Sequence, residues 1–383
     1  MTEHCPVHAD RSGDDRKTAS AVAGGSTQSA DRIVDHAGVR AVLRDESATQ
    51  AGFKADLIRR YADMRFAPIL FLEGDAHRRQ RAATARFFAP RTVTTRYRAL
   101  IEAEADELIA GFQAKGDATL DRMSLRLAVA VAADIVGLTN SDRDGMARRL
   151  DRFFDADLAL KDNRLAQFAS FFQGQFRLWS FYFRDVRPAI RSRMKAPRED
   201  VISHLIAEGY SDRSILTECF TYGAAGMVTT REFITMAAWH LLEDPHLADR
   251  FRETDEVGRL AILEEILRLE PVVGTLYRQR EGEPAPVALD IRAANGDPQA
   301  MGACPHRIDP DRDRAPRVGA AGMAFGDGAH RCPGAGVALL EAAIFLDRLL
   351  RVPGIRLIDA PSVGWNPLIT GYELRGCNIR CYK

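Results

Sequence analysis

Apolar residues recur at three- and four-residue spacing through most of the chain from Asp31 to about Leu269, the pattern of amphipathic helices. The segments RALIEAEADELIAGF from Arg98 and MSLRLAVAVAADIVGL from Met123 show it most clearly. Between 271 and 322 the pattern breaks. Pro, Gly, Asp and Arg crowd that stretch, and only short strand-like pieces such as VALDI from Val287 interrupt what reads as coil. Helical spacing returns after Pro333 with AGVALLEAAIFLDRLL, and the chain from 354 on reads as short strands and turns. Residues 1–31, rich in Ser, Gly, Asp and Ala and without apolar periodicity, predict a flexible tail. The expected organisation is that tail followed by a single domain over 32–383, mainly α with a small β region and no internal repeat.

Composition narrows the function. Lys and Arg balance Asp and Glu, 53 against 53, so the chain as a whole makes no electrostatic case for nucleic acid or a membrane surface. No uninterrupted apolar run approaches the ~18 to 20 residues of a membrane span. The first twenty residues lack the apolar core of a signal peptide. The six cysteines are scattered, without CxxC pairs, as in a reducing compartment. A cytoplasmic, unanchored protein is the expectation.

Four segments carry candidate chemistry. In Phe325-Gly-Asp-Gly-Ala-His-Arg-Cys-Pro-Gly334, Cys332 follows a glycine-spaced loop and precedes a helix, with Pro333 suited to a first helical turn. A thiolate there gains from the helix dipole and from nearby backbone N–H groups. Gly326, Gly328 and Gly334 let the backbone approach a sulfur and a flat cofactor closely. Upstream, Glu265 and Arg268 lie three apart, which alone is an ordinary helix-surface pair worth a few tenths of a kcal/mol. His77 and Arg81, four apart, share a helix face and are followed by Phe88-Ala-Pro90. The neighbouring Arg78, Arg79 and Arg86 read as a solvated basic face. Finally, Gly226 sits inside the helical stretch TYGAAGMVTTREFITMAAW, where it costs roughly 1 kcal/mol relative to alanine and so needs a reason.

The Cys332 segment fits FxxGxHxCxG and so resembles the haem-binding loop of the cytochrome P450 family. The resemblance runs from about residue 33 to 383 and implies the cytochrome P450 fold. It makes Cys332 the iron ligand of haem b (iron protoporphyrin IX), with Phe325 beside the cofactor. His77, Arg81, Arg278 and His330 become cationic partners of the haem propionates. Glu265 and Arg268 become a structural ExxR pair. Ala225 and Gly226 form a notch for dioxygen, with Thr229 and Thr230 delivering protons. The family pattern (A/G)Gx(D/E)TT places an acid where this chain has Val228, the most informative departure.

Other departures concern the sheet. Only the polar tail precedes VDHAGVRAVLRDE, and the stretch between Arg278 and Ala294 is too short for the family's usual hairpin, so a reduced β-sheet is expected. The resemblance further places Leu70, Phe71, Ala225, Met227, Val228, Val273 and Ile369 around a substrate pocket. It puts the aromatic-rich residues between Phe153 and Phe183 in its roof. Arg78, Arg79, Arg86, Arg317 and Arg331 would suit an acidic ferredoxin. No nucleotide fingerprint is present, so electrons from NAD(P)H are expected through a ferredoxin and its reductase. The leading expectation is a monooxygenase that hydroxylates a small hydrophobic or aromatic molecule. Two alternatives stay open: a haem-thiolate enzyme of other chemistry (peroxide-driven, dehydrating, isomerising or coupling), and a catalytically idle haem- or ligand-binding protein.

Overall fold

A computed structural model describes residues 14–18, 31–53, 67–154, 164–367 and 369–382. The side chains of Phe153, Phe154, Phe168, Phe171 and Phe172 lie outside the described residues. The chain forms two compact units, one of residues 1–56, 105–121 and 232–383, the other of residues 57–104 and 122–231.

In the first unit, helices start where short polar side chains cap them. Asp255 accepts from Gly258 N–H at the head of the Glu256–Leu269 helix, and Asp244 accepts from His246 and Leu247 N–H at the head of Pro245–Glu253. The Ala335–Leu350 helix, mostly apolar, is buried along most of its length. A four-stranded sheet orders Arg32–Ile33, Val287–Asp290, Thr275–Gln279 and Thr49–Ala51. The first pairing is parallel and the other two antiparallel. Its core joins Val39, Val42 and Leu43 of the His36–Arg44 helix to Leu289, Ile291 and Met323. The two smaller sheets pair Ser362–Asn366 with Gly371–Arg375, and Asn378–Arg380 with both Asp117–Thr119 and Arg356–Asp359.

Between Arg278 and Ala294 the structure forms one further strand, Val287–Asp290, which pairs back on Thr275–Gln279, so no separate hairpin lies in that stretch. Three other expectations are corrected. Arg32–Ile33 adds a strand ahead of the first helix. Within the segment read as a tail, residues 14–18 are docked. Asp15 receives Arg307 Nη1 at 2.7 Å and Ile308 N–H at 3.0 Å. Thr18, fully buried, donates to Glu270 from its backbone at 3.1 Å and its hydroxyl at 2.6 Å. Cys304 carries a disulfide, which scattered spacing did not foretell.

The second unit is almost wholly helical. Arg164–Phe181 continues through a wide turn at Tyr182–Val186 into Arg187–Lys195. Buried ion pairs tie its helices: Arg149 grips Asp185 through two bonds, the Nε contact at 2.7 Å, and Arg193 pairs with Asp200 while donating to Thr139 and Asn140. Asp212–Tyr222, capped by Ser211, runs into a π-helical stretch at Gly223–Val228 before Thr229–Glu243. Of the described aromatic residues in the expected roof, Phe181 is buried but Phe176, Trp179 and Phe183 are exposed.

Candidate haem-thiolate site

In the first unit the cysteine loop is a set of tight turns. Gly326 and Gly328 have φ of +69° and +67°, a region side-chain-bearing residues seldom adopt. At Gly328 a Cβ would also lie 2.1 Å from Leu43 O, so only glycine fits. Asp327 between them is held by Arg40 and Arg44 at 3.1 and 2.9 Å. Partial burial pushes its carboxyl up, but hydrogen bonds from Arg44 and Gly328 N–H outweigh this and hold it below the usual range. Cys332 N–H donates to Phe325 O at 2.9 Å, closing the loop. Cys332, Phe325 and His330 are half-buried, and a Cβ on Gly334 would come no closer than 3.9 Å to the Cys332 sulfur. Gly334, not Pro333, occupies the cap of the Ala335–Leu350 helix, so the proline precedes that helix rather than opening its first turn.

Behind this loop lies the acidic–basic pair. Glu265 and Arg268 are both buried, joined by bonds of 2.8 and 2.7 Å. Arg268 also donates to the carbonyls of Asn295, Pro305 and Arg307 at 2.6, 2.8 and 3.1 Å. Arg312 is a third member that sequence reasoning missed. It binds Glu265 at 3.0 Å and the carbonyls of Met301, Ala303, Cys304 and Arg307. Lying 47 residues from Glu265 in an Asp-rich irregular segment, it offered no spacing signal. Asn295 was also missed as a link: its side chain donates to Arg268 O at 3.0 Å and accepts from Met323 N–H at 2.7 Å. Arg278, buried in the sheet opposite Gln50, donates to that side chain and to Tyr277 O. Val273 is half-buried and bridges to Gly371, and Ile369 is buried.

In the second unit His77 is buried and Arg81 half-buried on the Gly74–Thr84 helix, one turn apart as their spacing requires. Phe88 stacks on Tyr222 with ring centroids 6.3 Å apart. Leu70 and Phe71 belong to a short 3-10 turn, Ile69–Phe71. In the π-helical stretch Ala225 is exposed and Gly226 half-buried; a Cβ on Gly226 would meet Ala132 Cβ at an ordinary 3.8 Å. Protein packing therefore does not demand that glycine. The Thr229 hydroxyl donates to Ala225 O at 2.6 Å, one turn back in the helix. Met227 and Val228 are 0% and 1% exposed. Thr230 is buried as well. One turn on from Val228, buried Arg231 pairs with Asp151.

The donor set fits haem. A half-buried thiol on a loop that glycines alone can turn suits a sulfur ligand, and Arg278 and His330 of the same unit are N–H donors of the kind propionates need. Among the described residues no group of three or more His, Cys, Asp or Glu could hold a bare metal ion, and no helix is long and apolar enough to cross a membrane.

No family model matches the chain. Individual proteins do. The cyclomarin C epoxidase CymV of Salinispora arenicola is 31% identical over 317 residues, 75% of each chain. The biotin biosynthesis cytochrome P450 of Bacillus subtilis is 28% identical over 320 residues, covering 76% of this chain and 74% of that one. The crystal structure of CalO2 superposes with a TM-score of 0.77 at 24% identity, over 92% of this chain and 90% of that one.

Proposed function

The chain belongs to the cytochrome P450 family, and from that premise we propose that it oxidises a small hydrophobic or aromatic molecule by hydroxylation, with Cys332 as the iron ligand. The observation that carries this is the Cys332 loop, turned by Gly326 and Gly328 and braced through Asn295 to Arg268. Haem bound through that thiolate supplies the activation of dioxygen, favoured by electron density from sulfur. Arg278 and His330, in the same unit as Cys332, would neutralise and orient its carboxylates. Thr229, half-buried beside the Ala225–Gly226 notch, holds water for proton delivery, with Thr230 packed behind it. Val228 cannot ionise, so protons come from solvent or from a polar substrate group. Leu70, Phe71 and Ala225 contact substrate. Electrons reach the site from NAD(P)H through a ferredoxin and its reductase, docking on Arg317 and Arg331.

A second reading, a peroxide-driven enzyme of the same type, is favoured by Val228 at the acid position and by the Thr229 hydroxyl being committed to Ala225 O. Two measurements decide. The reduced, carbon monoxide-bound protein should show the red-shifted Soret band of thiolate ligation, and Cys332→His should move it to the position of nitrogen-ligated haem. Thr229→Ala should uncouple NADPH consumption from product. Product formation at the wild-type level in Thr229→Ala, together with turnover on peroxide alone, would establish the second reading instead.

A further inference from the structure

Glu218 lies on the Asp212–Tyr222 helix, 1% exposed. One carboxyl oxygen accepts from Ile69 N–H at 3.2 Å; the other is buried with no hydrogen-bond partner among the described residues. Ile69 opens the short turn Ile69–Phe71, itself held by Phe71 N–H to Pro68 O at 2.8 Å. Turn and helix belong to the same unit. We infer that Glu218 is a positioning residue that latches this turn, keeping it closed while its carboxyl carries a proton and releasing it on ionisation.

The charge environment sets the direction. The titratable groups that face Glu218 are Tyr210, Cys219 and Tyr222, and burial pushes all three up, so they stay neutral near pH 7. Arg81 acts on Tyr222, but among the described residues no cation acts on Glu218. Burial, opposed only by the Ile69 N–H bond, raises the Glu218 carboxyl from 4.5 to about 8. An ionised Glu218 would gain a stronger bond from Ile69 N–H, yet it would be a buried charge with one donor and no counter-ion, and the desolvation loss wins. Opening the turn admits water and restores an ordinary carboxyl. The closed turn therefore binds a proton that the open turn releases. Between 4.5 and about 8 the open fraction must rise tenfold per pH unit, then level off. Leu70 and Phe71 ride on this turn, so the latch governs one wall of the substrate pocket; that consequence rests on the pocket assignment proposed above.

Hydrogen exchange in the haem-loaded full chain tests it. With intrinsic rates divided out, opening in the peptide covering residues 67–72 should rise about fiftyfold from pH 6 to pH 8. Glu218→Gln, which keeps an acceptor for Ile69 N–H but cannot ionise, should flatten that rise; Glu218→Met should flatten it too and serves if the glutamine variant folds poorly. A flat wild-type profile, the same slope in either variant, or exchange no faster than in the Leu120–Val136 helix would overturn the latch. Association of 4-phenylimidazole, followed at the Soret band, should quicken over the same range in wild type and not in Glu218→Gln. If exchange responds and ligand association does not, the latch stands and the placement of Leu70 and Phe71 in the pocket falls.

Discussion

Arg268→Ala is the substitution with the largest consequence that the structure allows to be worked out. The guanidinium is fully buried and makes five hydrogen bonds: two to Glu265 and one each to the carbonyls of Asn295, Pro305 and Arg307. Breaking a buried ion pair by removing one partner costs about 3–5 kcal/mol. Glu265 is not wholly stranded, because Arg312 Nε and Asp309 N–H still reach it at 3.0 and 3.1 Å, which favours the lower end of that range. Against this, the carbonyls of Asn295 and Pro305 lose a donor, at about 1–3 kcal/mol each. Arg307 O keeps Arg312 and adds little. These contributions share partners and do not simply add, so a total of about 5 kcal/mol is the working figure. That equals the lower end of the ~5–15 kcal/mol by which domains are stable. The variant should be insoluble or purify without haem, as read from soluble yield and the Soret-to-protein absorbance ratio. Arg268→Lys should fall between, since one ammonium can reach Glu265 but cannot span the carbonyls that the fork serves. A soluble Arg268→Ala protein with full haem content and an unchanged melting temperature would refute the reasoning.

Two further outcomes follow from burial. Val228→Asp places a carboxyl in a site 1% exposed, so the protein should lose about 1–3 kcal/mol in a thermal melt; an unchanged melt with higher coupled turnover would mean that position 228 opens onto water. Thr18→Val removes a hydroxyl that donates to Glu270 and accepts from Arg292, and should cost about 1.5–3 kcal/mol by urea denaturation, whereas no change would make residues 14–18 a surface decoration.

The helices and the cysteine loop were legible because local rules fix them. Apolar spacing at three and four residues, and glycines where φ is positive, are properties of neighbouring residues. What stayed hidden depends on partners far away in the chain. The docking of residues 14–18 rests on Glu270 and Arg307, about 250 and 290 positions on, and a polar pentapeptide carries no sign that buried charges await it. The pairing of Val287–Asp290 back on Thr275–Gln279 was hidden as well, because it joins two short strands across a turn in which Glu281, Gly282 and Glu283 are exposed. The helix that carries Val228 takes a wider turn over Gly223–Val228, which alters the angular step between residues, so sequence spacing alone does not say which face a residue occupies there.

The same long-range logic removes a distinction that sequence reading draws between structural and cofactor-binding residues. Arg268 was assigned to bracing and Cys332 to iron, but Asn295 ties the two together. Its amide nitrogen donates to Arg268 O, and its oxygen accepts from Met323 N–H, nine residues ahead of the cysteine. Met323 O in turn accepts from Gly326 N–H at 2.8 Å, the first of the left-handed glycines, and Phe325 O receives Cys332 N–H. Each contact in this series is a single hydrogen bond, so a change at one end of it bears on the loop at the other. Asn295→Asp would keep the shape and the bond to Met323 N–H but turn the donor toward Arg268 O into an acceptor facing an acceptor. That variant should retain the Glu265–Arg268 pair, because neither side chain of the pair bonds to the Asn295 side chain. It should still lower haem occupancy. Full haem occupancy with a normal thiolate Soret band in Asn295→Asp would show that the loop holds its sulfur independently of the ion pair behind it.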